Sequence, residues 1–239
     1  KLVIAGGLSI MIAIFQELEI DTMTIADGAL REGTMYDLIG RGTNSDLREV
    51  TVADLRKRFH LSIAQGDRVA NLTLYLQDMI VPLKERNKER RKLLQWACEL
   101  YEVGLSISHN DYHKHGAYIL LNSDLAGFSK PEQSAIAELI KSHRGSVDKV
   151  YVMLTKMFGD ELDYKMIFGI ISFRLAVIFS RNRKDIDFTN LIKITNVSSS
   201  GYDLVVAQDW LFHNPLTMFS LHEELVQWDK FNIKINLVT

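Results

Sequence analysis

Leu93-Leu-Gln-Trp-Ala-Cys-Glu-Leu-Tyr-Glu-Val-Gly104, then His115-Gly-Ala-Tyr-Ile-Leu120, then Ser129-Lys-Pro-Glu-Gln-Ser-Ala-Ile-Ala-Glu-Leu-Ile-Lys-Ser-His143-Arg144: the reading of these segments decides the fold. In the first, Leu93, Ala97 and Leu100 join Trp96 and Val103 in one apolar stripe at helical spacing. Gly104 follows it, suited to the left-handed position after a helix terminus, so a helix is expected to end there. In the last, Ser129 and Glu132 have the spacing of a capping box, and Ile136, Ile140 and His143 share one face of the helix that it starts. That face places His143 inward.

Working outward, Pro82 separates this frame from a preceding helix over Arg68 to Ile80, because an interior proline removes a hydrogen bond and clashes with the turn before it. Helical periodicity runs from Thr51 to about Arg183. Upstream, residues 1–41 have an α/β texture: Leu2-Val-Ile-Ala5 is apolar and extended, Gly6-Gly7 opens a helical run to Glu17, and Thr22–Ala26 returns as a short strand. Such a piece leaves faces that it cannot cover, as at the edge of a larger domain. Downstream, Leu191–Val197 and Tyr202–Ala207 flank a polar turn, which predicts a β-hairpin. Asp209–His213 and Leu221–Trp228 read as helices, and Phe231–Val238 as a closing strand with Ile233, Ile235 and Leu237 on one face. The expected fold is mainly α with α+β ends: an α/β edge over 1–41, an all-helical domain over 42–188 and a small α+β module over 189–239.

With 47% hydrophobic residues and a net charge of −2 over 239 residues, the chain is too apolar to be disordered and carries no uniformly basic surface for DNA. The single cysteine, Cys98, excludes an internal disulfide and a cysteine-rich zinc module, and it suits a reducing compartment, the cytoplasm by default. The apolar runs Leu2–Phe15 and Met166–Ser180 fall short of the roughly 18–20 residues of a spanning helix, so both read as buried elements and no membrane span is expected. Arg174, inside the second run, needs an acceptor. A salt bridge within the domain and a phosphate contact both answer that need.

The helical segments resemble the HD-domain phosphohydrolases. In that superfamily imidazole and carboxylate ligands hold a divalent cation that activates a bound water. The resemblance places the ligand positions at Gln65, at Tyr101-Glu102 in place of a His-Asp pair, and at Val177. None of these substitutes makes a metal site, so no metal is expected in this chain. His109 and His113 stand at i, i+4 spacing, and a helix across them would put two imidazoles on one face. A polar cluster paired with Glu102 or backbone carbonyls is the competing reading of these histidines.

Gly6-Gly7-Leu-Ser-Ile10, Ala26-Asp-Gly-Ala-Leu-Arg-Glu-Gly33 with Tyr36 and Gly40-Arg41, Tyr101-Glu-Val-Gly104, Ile107-Ser-His109, His115-Gly-Ala-Tyr-Ile-Leu120, Asn122-Ser-Asp124, Gly127-Phe128, Asp209-Trp210 and Trp228 together resemble the exopolyphosphatase and guanosine pentaphosphate phosphohydrolase family. The resemblance implies two actin-like domains, an HD-related helical domain and a small terminal module, with residues 1–41 closing the second actin-like domain. It also implies that the catalytic carboxylates, the glycine-rich phosphate loops and the Mg2+ they hold lie upstream of Lys1. This chain would then be a C-terminal portion, inactive alone, whose partners are inorganic polyphosphate or guanosine pentaphosphate and a second copy in a homodimer. Where close relatives tend to carry His-Glu-Val-Gly, this chain has Tyr101-Glu102-Val103-Gly104.

A polyanion substrate needs a local path of cations and helix N-termini. The candidates are Gly6 and Gly7, Arg31 after the Asp27-Gly28 turn, Lys88, Arg91 and Lys92 in the densest basic run, the frame residues His115 and His143 with Arg144, and Arg174. Arg181, Arg183 and Lys184 form a second basic run. Each run also reads as a solvated face, and the chain as a whole also reads as a regulatory or assembly module without substrate contact.

Overall fold

The computed structural model describes residues 2–23, 46–159 and 164–239, without the side chains of 2, 3 and 156–158. It divides into a short unit ending at Asp46 and a compact unit over Leu47–Thr239.

In the first unit, α1 (Leu2–Glu17) is one continuous helix. The expected strand at Leu2–Ala5 is absent, and Gly6 and Gly7 lie inside the helix rather than opening it. A helical glycine costs only about 1 kcal/mol against alanine, and the helix continues through both glycines. Ile4, Leu8, Ile10 and Ile12 stand exposed, so this run is not the buried element expected of it. Thr22 and Met23 are not in a strand; the rest of the expected strand to Ala26, and Arg31, lie outside the described residues.

The second unit begins with α2 (Leu47–Arg58), α3 (Ile63–Ile80) and α4 (Lys88–Leu100). It continues through α5 (Tyr112–Leu121), α6 (Lys130–Ser142), α7 (Val147–Phe158) and α8 (Tyr164–Phe179). Helix α3 packs against both α4 and α8, and α6 packs against α4 and α5. Leu72, Leu76, Leu100, Ile136, Ile140 and Ile171 fill the space between them. Helix α8 is apolar around its whole circumference and buried along most of its length, as a central helix must be. The run Met166–Ser180 is therefore core. Among the described residues no helix is long and apolar enough to cross a membrane.

The capping box forms: Glu132 N donates to Ser129 Oγ, and Ser129 N donates to the Glu132 carboxylate at 2.8 Å. Pro82 follows the end of α3, which reaches back to Ile63, one turn before the expected start. The stripe of 93–104 does not run as one helix to Gly104. Helix α4 ends at Leu100, and a 3-10 turn over Val103–Ser106 follows. Gly104 is required by contact rather than by handedness, because a Cβ there would stand 1.9 Å from the Tyr112 carbonyl oxygen and 2.5 Å from Gly116 N. The glycine lets two backbones touch where the turn crosses α5.

After the four-residue α9 (Phe188–Leu191), β1 (Ile192–Ser198) and β2 (Gly201–Val206) form the expected hairpin, with Ile192 opposite Val206 and an irregularity between Thr195 and Ser198. Then come α10 (Gln208–His213), α11 (Pro215–Asp229) and β3 (Lys234–Val238). Strand β3 joins β2 in parallel, giving the order β1-β2-β3. Proline at the start of α11 suits a position whose N–H has no helical acceptor. Ile233 and Ile235 are buried, while Leu237 is half-buried. The sheet is part of the compact unit: Tyr75 of α3 donates its hydroxyl to the Ile192 carbonyl at 3.0 Å, and α11 packs on α8.

Candidate functional site at the helix ends

The start of α3, the end of α4, the start of α5, the end of α6 and the end of α8 meet around Tyr101, and most of the positions read as vestigial metal ligands meet there too. Gln65, held by the Ser62-capped first turn of α3, donates its amide N–H to Tyr101 Oη and to the Ser180 carbonyl, each at 3.0 Å. Arg68, one turn along, donates to Gln65 Oε1 at 2.5 Å and reaches Asp185. Tyr101 donates its hydroxyl to Glu102 at 3.2 Å, and Glu102 in turn pairs with Arg183. Val177 sits one turn before Ser180 on α8. Burial, followed by the Glu102 charge, pushes the Tyr101 phenol well up.

His143 is buried as its face predicts. Its Nδ1 lies 2.5 Å from the Ile140 carbonyl and its Nε2 lies 3.0 Å from Tyr112 Oη. A carbonyl can only accept, so Nδ1 carries the proton and Nε2 accepts from the tyrosine. Desolvation pushes His143 down to about 3, so the ring is neutral. Both ring nitrogens are used inside the protein, and the ring also stacks on Phe173 at 5.3 Å. Neither nitrogen is left for a metal or an anion. Above it, the Arg144 guanidinium lies 5.2 Å from the centre of the Tyr112 ring. Burial raises the Tyr112 phenol, while the nearby charges of Arg144 and Arg181 pull it down. His113 packs 6.2 Å from His143 with its Nδ1 buried and unpartnered, and burial lowers its pKa.

These donors do not suit a divalent cation. The Gln65 oxygen faces Arg68, the Glu102 carboxylate faces Arg183, and among the described residues no three His, Cys, Asp or Glu side chains gather to hold a metal. Guanidinium groups around the cluster would repel a cation and attract an anion. Arg68 and Arg183 are held by carboxylates. Arg144 rests on the Tyr112 ring and Arg181 on the Ser220 hydroxyl, so among the described residues neither is tied to a carboxylate.

The other sequence candidates are scattered. Gly6 and Gly7 lie in the interior of α1, where the backbone N–H groups serve the helix ladder, so they form no phosphate loop. Lys88, exposed, is the first residue of α4. Arg91 forks onto Asp78 at 2.5 and 3.0 Å, while Lys92 pairs with Glu49 at 3.1 Å and lies over the Trp96 ring. His115 is half-buried on α5. His109 and His113 do not share a helix: His109 lies in the turn before α5, where Asp111 takes a left-handed conformation that breaks the periodicity. Arg174 takes the salt bridge. Glu224 of α11 accepts from its Nε at 2.5 Å and Nη2 at 2.8 Å, and the Ser142 and Gly145 carbonyls accept at 2.8 and 2.9 Å. Trp228 Nε1 donates to the same carboxylate at 2.7 Å. Four of the five guanidinium N–H groups are engaged inside the protein, and the side chain is buried, so Arg174 acts here as a structural tie. Tyr112, which joins Arg144 to His143, was not legible in advance, since nothing in its sequence context separates it from a core tyrosine.

The fold is a mainly helical unit closed by a small three-stranded sheet, with arginines at the edge of a hydrogen-bonded aromatic cluster. The family model "Ppx/GppA phosphatase, domain III" matches residues 47–225, and "Ppx/GppA phosphatase family" matches residues 1–41. The guanosine-5'-triphosphate,3'-diphosphate pyrophosphatase of Pseudoalteromonas translucida (strain TAC 125) is 36% identical over 238 residues, which are 98% of this chain and 46% of that protein. The chain belongs to the Ppx/GppA phosphatase family, a family of phosphohydrolases, and it spans about half the length of this curated relative.

Proposed function

We propose that this chain is the C-terminal part of an exopolyphosphatase, in which it guides the polyanion and supports a homodimer while other domains perform the hydrolysis. The single observation that carries the reading is the pair Arg144 and Arg181 near Tyr112, two guanidiniums without carboxylate partners among the described residues, on a rim that Arg68 and Arg183 extend. A chain of phosphates carries repeated negative charge, and cations that are not already neutralised are the ones able to meet it. Exposed Lys88 remains part of this proposal, whereas Arg91 and Lys92 each hold a carboxylate. On this reading residues 1–41 close an actin-like domain, 42–188 are HD-like and 189–239 form the terminal module. The catalytic carboxylates and Mg2+ belong to the actin-like part, and the compartment is the cytoplasm. In the reaction, a water oxygen bonds to the terminal phosphorus while the bridging P–O bond breaks, releasing orthophosphate and a chain one unit shorter.

The relative's printed name favours a second reading, hydrolysis of guanosine pentaphosphate by the same architecture. Steady-state rates of the whole protein on long polyphosphate and on guanosine pentaphosphate separate the two. A higher kcat/KM on polyphosphate, with Arg144→Gln and Arg181→Gln raising KM for long chains about tenfold at unchanged kcat, is the expected result. A large preference for the nucleotide overturns the first reading in favour of the second. Unchanged KM in both variants points instead to an assembly module without substrate contact.

A further inference from the structure

Helices α3, α4, α6, α7 and α8 enclose a cavity of about 580 Å3, toward the end of α3 opposite to Gln65. Its lining begins at Gln77, about three turns and roughly 18 Å beyond Gln65 along α3. The volume is that of a small-molecule site, and its interior is aliphatic: Val81, Leu94, Leu139, Met153, Met166 and Ile170. Among the described residues no aromatic ring lines it. A purine is normally held by stacking on a ring, so this wall suits a flexible hydrocarbon chain, to which methionine side chains adapt readily. Gly169 widens the floor, because a Cβ there would already meet Gln77 Nε2 at 3.3 Å and Leu94 Cδ2 at 3.8 Å.

One part of the wall is basic: Arg86, Arg90 and Arg91 line it, while the lining carboxylates Glu132 and Glu138 are held by Arg48 and Lys141. Arg91 bonds Asp78 through both Nη atoms at 2.5 and 3.0 Å, and Arg86 Nη1 lies 3.2 Å from the same carboxylate. Arg86 is further fixed by the Val81 and Asp78 carbonyls at 2.9 and 2.6 Å. Among the described residues these two guanidiniums share the Asp78 carboxylate, which leaves one positive charge in excess at that part of the wall. Lys165 and Glu85, on another part of the wall, form a neutral pair at 3.1 Å.

We infer that this cavity binds a single-chain aliphatic anion, a hydrocarbon tail with a carboxylate or phosphate head, with the tail among the aliphatic side chains and the head at Arg86 and Arg91. The site is separate from the arginine rim and does not depend on the reading of that rim. Isothermal titration of the whole protein with dodecanoate, dodecyl phosphate and dodecyltrimethylammonium, each below its micelle concentration, tests it. The expected result is saturable binding of one anion per chain and at least tenfold weaker binding of the cation. Stronger binding of dodecanoate identifies a fatty-acid head, and stronger binding of dodecyl phosphate identifies a phosphate ester. Arg91→Gln should weaken either anion about tenfold, and Gly169→Leu should abolish binding by filling the floor. If Gly169→Leu fails to fold, Ser134→Trp at the wall replaces it with the same expected loss. No saturable binding, equal affinity for the cation, or binding unchanged in Ser134→Trp overturns the inference.

Discussion

Gly104 and Arg174 show how single residues hold this structure in place. The backbones of the 3-10 turn and of α5 meet at Gly104 more closely than any side chain permits, so Gly104→Ala must push them apart. Such forced overpacking costs on the order of 3 kcal/mol, to be read as a lower urea midpoint at constant slope; a change below 0.5 kcal/mol would contradict the contact. Arg174 and Glu224 are a buried pair whose hydrogen-bonding groups are shared with two carbonyls and an indole. Removing one partner strands a buried charge, so Arg174→Met should destabilise by roughly 3–5 kcal/mol, while Arg174→Met with Glu224→Met recovers most of that loss. Failure of the double variant to recover would show that the carbonyl and indole contacts, rather than the ion pair, dominate.

Elements bounded by local chemistry were legible in the sequence. Ser129 and Glu132 mark the start of α6 with a reciprocal cap, and Ser129→Ala should cost about 1 kcal/mol in thermal or urea unfolding. Asn87 caps α4 through a single bond to Arg90 N, and Asn87→Ala sets the comparison. An unchanged stability in Ser129→Ala would mean that packing alone fixes that end. The hairpin and the closing strand were readable because alternation and a polar turn are local signals. What the sequence hid depends on partners distant in the chain. Leu2–Ala5 has strand composition but continues a helix, and His109 loses its helical partner to the left-handed Asp111. The sequence singled out Gln65, Tyr101 and Glu102, and the structure brings these three side chains together. Their partners were not legible, because Arg183 reaches Glu102 across 81 residues and Tyr112 reaches His143 across 31.

For the molecule as a whole, the buried histidine sets a dependence on acid. Unfolded, His143 takes up a proton near pH 6.5; folded, it does so only near 3. The unfolded chain therefore binds more protons between those values, so this contribution is complete above about pH 6.5 and is lost as pH falls toward 3, by up to about 1.4 kcal/mol per pH unit. His113, lowered in the same direction, adds to the slope. Urea unfolding at pH 6.5 and 5 should show a smaller loss in His143→Phe than in the parent protein, and equal losses would contradict the neutral buried ring. The neutral His143 ring is the centre of a hydrogen-bonded aromatic cluster with arginines at its edge. The most direct measurement of the role assigned to that rim is the salt dependence of long-chain polyphosphate binding to the protein and to its Arg144→Gln, Arg181→Gln double variant. The account predicts weaker binding and a log–log salt slope shallower by about 1.4–1.8 in the variant, as for two lost phosphate contacts. The same affinity and the same slope in both proteins would contradict it.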